Sequence, residues 1–218
     1  AAAATAAVEK LVTSDGVVGI LGGDCSGVTG AVLSNVAVPN GIAMISPSAT
    51  SPALSTAEDN GLFFRTAPSD AREGEIAADI MTDRGIKTAA LTYSNSDYGK
   101  GLAEAIQKGF EAKGGKITIS AAHEDGKSDY SAEVGALASA GGDILIVAGY
   151  LDQGGAGIIQ AALDTCAFST FELPGGMIGS SMDERFGAAI NGSFGQIAGS
   201  DSAGFEVYKG LAAAAGFD

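Results

Sequence analysis

The sequence predicts an α/β fold of two Rossmann-like, doubly wound lobes with parallel sheets, the first of them incomplete. Apolar runs alternate with amphipathic helical patterns along almost the whole chain, and such alternation is typical of βαβ units. The run ILIVA at 144–148 is apolar at every position, as expected of a parallel strand covered on both faces. The alternation begins again after Pro68. These patterns indicate two α/β units in one chain.

The individual elements follow from the same patterns, because short apolar runs bounded by polar or glycine-rich segments predict strands and the longer periodic segments predict helices. Strands are predicted at 17–21, 43–46, 63–66, 88–93, 117–121, 144–148, 171–173 and 195–198. Helices are predicted at 3–13, 29–38, 71–84, 98–113, 131–140, 153–163, 182–189 and 203–215.

Capping residues mark several of these helix ends. Asp97 and Ser128 stand where N-caps are expected, because a short polar side chain can accept a bond from a free amide of the first turn. Gly85, Gly114 and Gly141 stand where a helix ends in a left-handed residue. These positions define where the predicted helices begin and end.

The segment around Pro68 predicts a crossing between the lobes. Proline disfavours helical backbone at the residue before it, and Ser69 or Asp70 is then expected to cap the next helix. We therefore assign residues 1–67 to a partial first lobe, 68–198 to the second lobe and 199–218 to a segment that returns to the first. Because the chain opens inside a helix and closes after one, we expect it to be part of a longer protein.

The charge of the chain excludes two classes of partner. It has 26 acidic and 12 basic residues, for a net charge of −14. Such a surface repels phosphate backbones and anionic lipid, so we expect no nucleic-acid partner. No apolar stretch approaches the roughly 20 residues that cross a bilayer, so we expect no direct membrane insertion.

The turn GDCSG at 23–27 allows two interpretations. It is either a nucleophile elbow with Cys25 as the attacking group, or a turn whose Ser26, Thr29 and amides hold an anion at a helix N-terminus. A cysteine hydrolase needs a histidine base. The one histidine, His123, is followed by Glu124 and a polar loop, so we expect it to be solvated.

Cofactor and metal motifs are missing from the sequence. Gly22 and Gly27 have P-loop spacing, but Val28 stands where that motif has lysine. No strand is followed by G-x-G-x-x-G, and the acidic loop after His123 fits no EF-hand or zinc spacing. We therefore predict no cofactor and no metal. Cys166 is expected to be a small packing residue, and the two cysteines could pair or each be free.

A second polar turn supports the anion-binding interpretation. In MISPSATSPALS, residues 44–55, another predicted strand ends in hydroxyl and amide donors. Ligands of open α/β sheets lie beyond the carboxyl ends of strands, where Ser26, Ser48 and Thr50 could converge on one carboxylate. Tyr98 and Tyr150 follow strands of the second lobe, and a tyrosine there can cover an apolar ligand and still hydrogen-bond.

Six stretches carry a resemblance to a known family. They are DCSGVTG, MISPSATSPALS, FFRTAPSDAREG, YSNSDYGKGLAEAIQKGFEAKGGKI, KSDYSAEVGAL and ILIVAGYLDQGG, and they cover most of the chain. In this order they resemble the type I periplasmic solute-binding proteins of ABC transporters, specifically the branched-chain amino-acid (Leu/Ile/Val-binding) family.

The resemblance implies a two-lobed clamp without enzymatic activity, periplasmic in location, whose partners are a small ligand and an ABC permease. It implies that Ser26 binds the ligand carboxylate. Ser48, through its backbone, and Thr50 would hold the α-carboxylate and α-ammonium, and Ala49 between them is predicted to belong to the same ligand-binding turn. Tyr98 and Tyr150 would close over the ligand from the second lobe. It also implies that the partner of Cys25 in a disulfide lies just upstream of this chain.

One position departs from the family pattern. Members usually carry an acidic residue on the loop after the strand that matches FELP, where it takes the ammonium, but this chain has Gly175 there. Either another carboxylate serves, such as Asp152 or Glu172, or the ligand is not a standard α-amino acid. The predicted function is delivery of a small carboxylate-bearing ligand to an ABC permease, with a branched-chain or related amino acid favoured. A ligand-sensing regulatory domain of the same fold and a cysteine hydrolase using Cys25 are the alternatives.

Overall fold

A computed structural model describes residues 1–199 and 203–217. The first sheet contains three parallel strands in the order β1-β2-β3: β1 (Gly19–Leu21), β2 (Ala43–Ser46) and β3 (Phe63–Arg65). The helical segments around it are α1 (Ala2–Thr13), α2 (Ser26–Val32), a π-helical turn (Leu33–Ala37), α3 (Val38–Asn40) and a 3-10 turn (Pro52–Ser55). The helix predicted at 29–38 thus begins earlier, at Ser26.

The second sheet has five parallel strands in the order β5-β4-β6-β7-β8. They are β4 (Thr88–Ser94), β5 (Lys116–His123), β6 (Ile144–Ala148), β7 (Phe171–Leu173) and β8 (Phe194–Gly195). The longer helices that go with them are α4 (Asp70–Asp83), α5 (Asp97–Ala112), α6 (Ser131–Ala140), α7 (Gly155–Asp164), α8 (Ser180–Phe186) and α9 (Ala203–Ala214). The predicted strand at 195–198 forms only its first residue; 196–199 are irregular.

The second sheet is covered on both faces, as predicted from ILIVA. Every residue of β6 is buried, and separate apolar clusters pack on the two sides of the sheet, one built mainly from α6 and α7 and the other from α4 and α5. The first sheet differs, because only one of its faces packs on α2 and the π-helical turn. On its other face Leu21 is 81% and Phe64 is 56% exposed.

The structure corrects two of the predicted N-caps. Ser96, not Asp97, precedes α5, and its hydroxyl accepts a bond from the amide of Gly99 at 3.1 Å. Tyr130, not Ser128, precedes α6, where Asp129 accepts from the Ser131 amide instead. Each segment offered several candidate caps in a row, and only the loop conformation decides which one reaches the helix. Ser69 caps α4 as predicted.

The strand order places a switch point between β4 and β6. From β4 the chain passes to β5 on one side and then returns to β6 on the other. Helices that leave the two strands in opposite directions open a crevice at their carboxyl ends, and ligands of doubly wound sheets bind there. The residues that follow β4 and β6 include Tyr98 and Tyr150.

Helices α4 and α5 pack unusually closely, which requires glycine. A Cβ on Gly74 would lie 2.5 Å from the backbone carbon of Ala105, and one on Gly109 would lie 2.9 Å from the Gly74 carbonyl oxygen. Both are closer than atoms can approach without displacement. The two helices therefore meet backbone to backbone, and this contact holds the start of α4 against the second sheet.

We expect Gly74→Ala to destabilise the protein by about 1–3 kcal/mol, because the added methyl group overpacks a helix contact. Gly135→Ala is the matched control, since Gly135 lies in α6 with open space around its Cβ position; there alanine should stabilise by about 0.5–1 kcal/mol through helix propensity. Chemical denaturation measures both. Equal effects of the two substitutions would contradict the close contact.

Candidate functional site

The two polar turns of the first sheet are bonded to each other. The Ser46 hydroxyl donates to the Gly23 carbonyl at 2.7 Å and accepts from the Ala49 amide at 3.0 Å. The Ser48 hydroxyl donates to the Asp24 carbonyl at 3.1 Å. Of the predicted ligand-binding residues, Ser48 thus uses its hydroxyl to join the two turns, while the Ala49 amide bonds within its own turn.

Ser26 is buried at the same junction. Its hydroxyl oxygen accepts from the Ser51 amide at 3.1 Å, so its own hydrogen is available to a further acceptor. Ser26 lines a cavity between the lobes together with Asp97 and Gly101, a different cavity from the one that Thr50 lines. The structure thus places Ser26 and Thr50 on two different turns, lining separate cavities.

Tyr98 and Tyr150 each follow a strand, as the sequence predicted, and the structure brings the two rings together at the switch point. Their ring centroids are 4.9 Å apart. The Tyr98 hydroxyl accepts from the Gly176 amide at 3.2 Å, and the Tyr150 hydroxyl lies against the Cys25 thiol of the first lobe. Burial raises the pKa of both phenols, and nearby acidic groups raise it further, so both remain neutral donors.

A cavity of about 730 Å³ lies between the two segments that cross from one sheet to the other, and neither tyrosine is among its lining residues. Thr50 lines it, and so do Asp70, Glu73 and Gln196. The Asp70 amide donates to the Thr50 carbonyl at 3.0 Å, which joins the end of the SPSAT turn to the start of α4. The cavity is therefore walled by both lobes.

Asp70 carries the least expected feature of this site. Its side chain is 1% exposed, and among the described residues neither carboxylate oxygen has a hydrogen-bond partner of normal geometry. Burial raises the pKa of Asp70 to about 7, against the opposing effects of the nearby Thr50 hydroxyl and of Arg65. Arg65 is held elsewhere, donating to the Ala49 and Ser51 carbonyls at 3.3 and 2.9 Å.

Glu73 lies one turn further along α4 and reaches the loop at Gly175. Its Oε1 accepts from the Gly175 amide at 2.8 Å and from the Gln196 side-chain amide at 3.2 Å. Glu172, proposed from the sequence as a substitute acid, is fully buried in β7 and lacks a bonded partner for either oxygen. Burial raises the pKa of Glu172 to about 8. Asp152, the other candidate, is exposed in a 3-10 turn.

The sequence analysis missed Asp70 and Glu73 as site residues. Both signals were present: Ser69 and Asp70 stand side by side as candidate caps, and a helix needs only one. Because Ser69 serves as the cap, the neighbouring carboxylate is left for another role. Glu73 is the fourth residue of α4, whereas the acid of a capping box is the third. Its carboxylate is therefore not needed to cap the helix.

The structure corrects two predictions for the reactive residues. His123 is not solvated: it ends β5, is 1% exposed, and its Nδ1 lies 2.9 Å from the Thr92 hydroxyl. Burial lowers the pKa of His123. Cys166 is not a packing residue but is exposed and has a left-handed backbone, with φ of 53°. Cys25 and Cys166 are both free and exposed.

Neither a cluster of metal-ligating side chains nor a membrane-spanning helix is present in the part of the chain that the structure describes, residues 1–199 and 203–217. No group of three or more His, Cys, Asp or Glu side chains among them is placed to hold a metal ion. In the same ranges, no helix is long and apolar enough to cross a membrane.

The fold and the site together define a type I periplasmic binding protein, in which parallel α/β sheets meet at a ligand cleft. A solved solute-binding protein of an ABC transporter from Rhodopseudomonas palustris, in complex with p-hydroxybenzoic acid, has this fold, with a TM-score of 0.85 over 100% of this chain and 60% of its own, at 18% identity. A leucine-binding protein from Thermotoga maritima superposes with a TM-score of 0.76 over 95% of this chain and 61% of its own, at 22% identity.

The chain belongs to the periplasmic binding protein family, whose sequence model matches residues 1–172. The Leu/Ile/Val-binding protein homolog 3 of Brucella melitensis is 36% identical over 62% of this chain and 39% of its own length. The leucine-, isoleucine-, valine-, threonine- and alanine-binding protein of Pseudomonas aeruginosa is 31% identical over 71% of this chain and 41% of its own. The resemblance seen in the sequence is confirmed, and the chain spans about two fifths of the length of these curated relatives.

We expect Asp70→Asn to stabilise the unliganded protein at pH 8 and not at pH 4. In the wild type, a pKa raised from 3.8 to about 7 means that the folded state holds a proton that the unfolded state has lost, so stability falls as pH rises through this window. The upper limit of the loss is about 4 kcal/mol. Thermal unfolding at both pH values measures it.

Asp79→Asn is the control for this experiment, because Asp79 lies on the same helix but pairs with Lys113 at the surface. Exposed pairs contribute about 1 kcal/mol or less, so this variant should show no gain at pH 8. A pH-independent effect of Asp70→Asn would contradict an ionising, unpaired carboxylate.

Proposed function

We propose that this chain is the ligand-binding part of an extracytoplasmic solute-binding protein, located in the periplasm, that delivers a small carboxylate-bearing ligand to an ABC permease. A branched-chain or related amino acid is the proposed ligand, and the protein itself is not an enzyme. The single observation that carries the proposal is the buried, unpaired Asp70 in a cavity walled by both lobes. Burying a polar group without a partner is costly, and a ligand bound in this cavity would supply the bond that Asp70 lacks.

The surroundings of Asp70 supply the other contacts that a small polar ligand requires. Thr50 offers a hydroxyl at the cavity wall, and Ile76 and Ile197 offer apolar surface there, whereas Ser26 lines a separate cavity. Few polar groups set in apolar surroundings are typical of small-molecule sites. Relatives whose names state that they bind leucine, isoleucine or valine support an amino acid.

The alternative of a cysteine hydrolase has no support from the geometry. The His123 ring contacts Thr92 and Tyr130 inside the second lobe, whereas Cys25 faces the Tyr150 hydroxyl. A nucleophile and its base must lie within hydrogen-bond reach. We therefore propose a binding role for the GDCSG turn.

Isothermal titration calorimetry with leucine, isoleucine, valine, benzoate and 4-hydroxybenzoate tests the proposal. We expect at least one of these compounds to bind, and Thr50→Val to weaken it about tenfold through loss of one hydroxyl contact. Thr56→Val is the matched control, because Thr56 is exposed at the end of a 3-10 turn. Failure of all five compounds to bind would contradict the proposed function.

Closure of the lobes gives a second test. A Cβ on Gly101 of α5 would lie 3.0 Å from the Pro52 side chain and 3.1 Å from the Ser51 hydroxyl of the first lobe. We expect Gly101→Val to hold the lobes apart and weaken ligand binding about tenfold, while Gly135→Val, in open space on α6, leaves affinity unchanged. Calorimetry measures both, and an unchanged affinity for Gly101→Val would count against a clamp.

A further inference from the structure

The carboxylate of Glu73 occupies the space in front of Gly175. A Cβ built on Gly175 would lie 3.7 Å from Oε1 and 4.0 Å from Oε2 of Glu73. The Gly175 amide already donates to that Oε1 at 2.8 Å. A side chain at position 175 would therefore project to the place where Glu73 now presents its charge.

Glu73 and Asp70 form one acidic surface on α4. They are three residues apart, so they lie on the same face of the helix, and both line the 730 Å³ cavity. Gln196 provides the one side-chain donor bonded to Glu73. Asp70, which is 1% exposed, has no hydrogen-bond partner of normal geometry among the described residues, although the nearby Thr50 hydroxyl acts to lower its pKa.

No ion pair within residues 1–199 and 203–217 involves Asp70 or Glu73. Arg72, which also lines the cavity, pairs with Glu75 instead. Arg65, the cation closest in effect to Asp70, donates to two backbone carbonyls and to the Ser55 hydroxyl. Asp70 and Glu73 therefore give this cavity an unpaired negative charge, and a cationic group of a ligand could pair with it.

We infer that Glu73 and Asp70 together form a cation subsite that takes the protonated nitrogen of the ligand, with Glu73 replacing from α4 the side chain that Gly175 lacks. This inference rests on the proposed function and narrows its ligand class: the chain selects amino acids over carboxylates without a nitrogen. The cation is organic, since no described cluster of three ligating side chains could hold a metal.

The same arrangement makes binding sensitive to pH. Asp70 faces Glu73 on its own helix, Arg65 and Thr50 on the first lobe, and the phenols of Tyr98 and Tyr150. A cation bound here favours the ionised carboxylate. Affinity for an amino acid should therefore fall as pH drops below about 7, by up to about tenfold per pH unit for one linked proton.

The test compares matched pairs of ligands that differ only in the amino group. Calorimetry on the full chain uses leucine with 4-methylpentanoate, valine with 3-methylbutanoate and phenylalanine with 3-phenylpropanoate. We expect the wild type to bind an amino acid at least about 100-fold more tightly than its partner. Glu73→Gln should weaken the amino acid by about tenfold or more and leave the nitrogen-free acid unchanged or tighter.

Asp79→Asn is the control, because Asp79 lies on the same helix but pairs with Lys113 at the surface, and neither residue lines the cavity. It should change neither affinity. Gly175→Glu in the Glu73→Gln background is the decisive variant, since the Cβ position of Gly175 meets only ordinary contacts at 3.7 Å or more. Recovery of amino-acid binding by about tenfold supports the inference, and no recovery in a variant with wild-type circular dichroism overturns it.

The outcomes separate the inference from the proposed function. If Glu73→Gln lost affinity equally for the amino acid and for its nitrogen-free partner, Glu73 would have a merely structural role and the inference would be overturned. A wild type that prefers the nitrogen-free acids would overturn it as well, yet leave a solute-binding protein for carboxylates. A wild type that binds none of these compounds, nor benzoate or 4-hydroxybenzoate, would overturn both.

Discussion

The parallel pairing of β4 with β5 on one side and β6 on the other determines where a ligand can bind in this molecule. A central strand whose neighbours are reached by helices on opposite faces leaves an open crevice at its carboxyl end. Tyr98 and Tyr150 stand at that crevice because one begins the helix after β4 and the other follows β6. The close packing of α4 on α5 then brings the first turn of α4, with Asp70 and Glu73, to the same end of the sheet.

Electrostatics at this end of the sheet oppose the stability of the empty protein. Asp70 and Glu172 are buried without bonded partners, and the desolvation of their carboxyl groups raises both pKa values. Such a site gains more binding free energy from a cationic ligand than a neutral site would. The ligand pairs with a buried carboxyl group whose desolvation already costs the folded protein free energy. In the proposed cation subsite, Asp70 would link the stability of the empty protein to its ligand selectivity.

The hydroxyl groups at the end of β2 and in the loop after it have different roles. Ser46 and Ser48 connect the two turns, so they hold the backbone in place and do not face the cavity. Thr50, only two residues beyond Ser48, lines it. Neighbouring side chains of similar chemistry therefore differ in role because the turn points them in different directions.

The sequence by itself determined the α/β class, the positions of most strands and helices, the two tyrosines after β4 and β6, and the family. Local periodicity and cap residues carry that information, since they depend on neighbours along the chain. The assignment of residues 1–67, 68–198 and 199–218 to lobes, and the roles of Ser26, Ser48, Ala49, Thr50, Tyr98, Tyr150 and Gly175 in binding, remain predictions.

Only the tertiary structure decided which polar groups lack partners. His123 reads as a loop residue in a polar stretch, yet it is buried by Tyr130 and bonded to Thr92. Asp70 reads as a helix cap, yet its carboxylate is buried in a cavity between two sheets. Burial and charge compensation depend on segments far apart in the chain, such as Glu73 and Gly175, which are 102 positions apart. No local pattern records such an encounter, because it arises only when the helices pack.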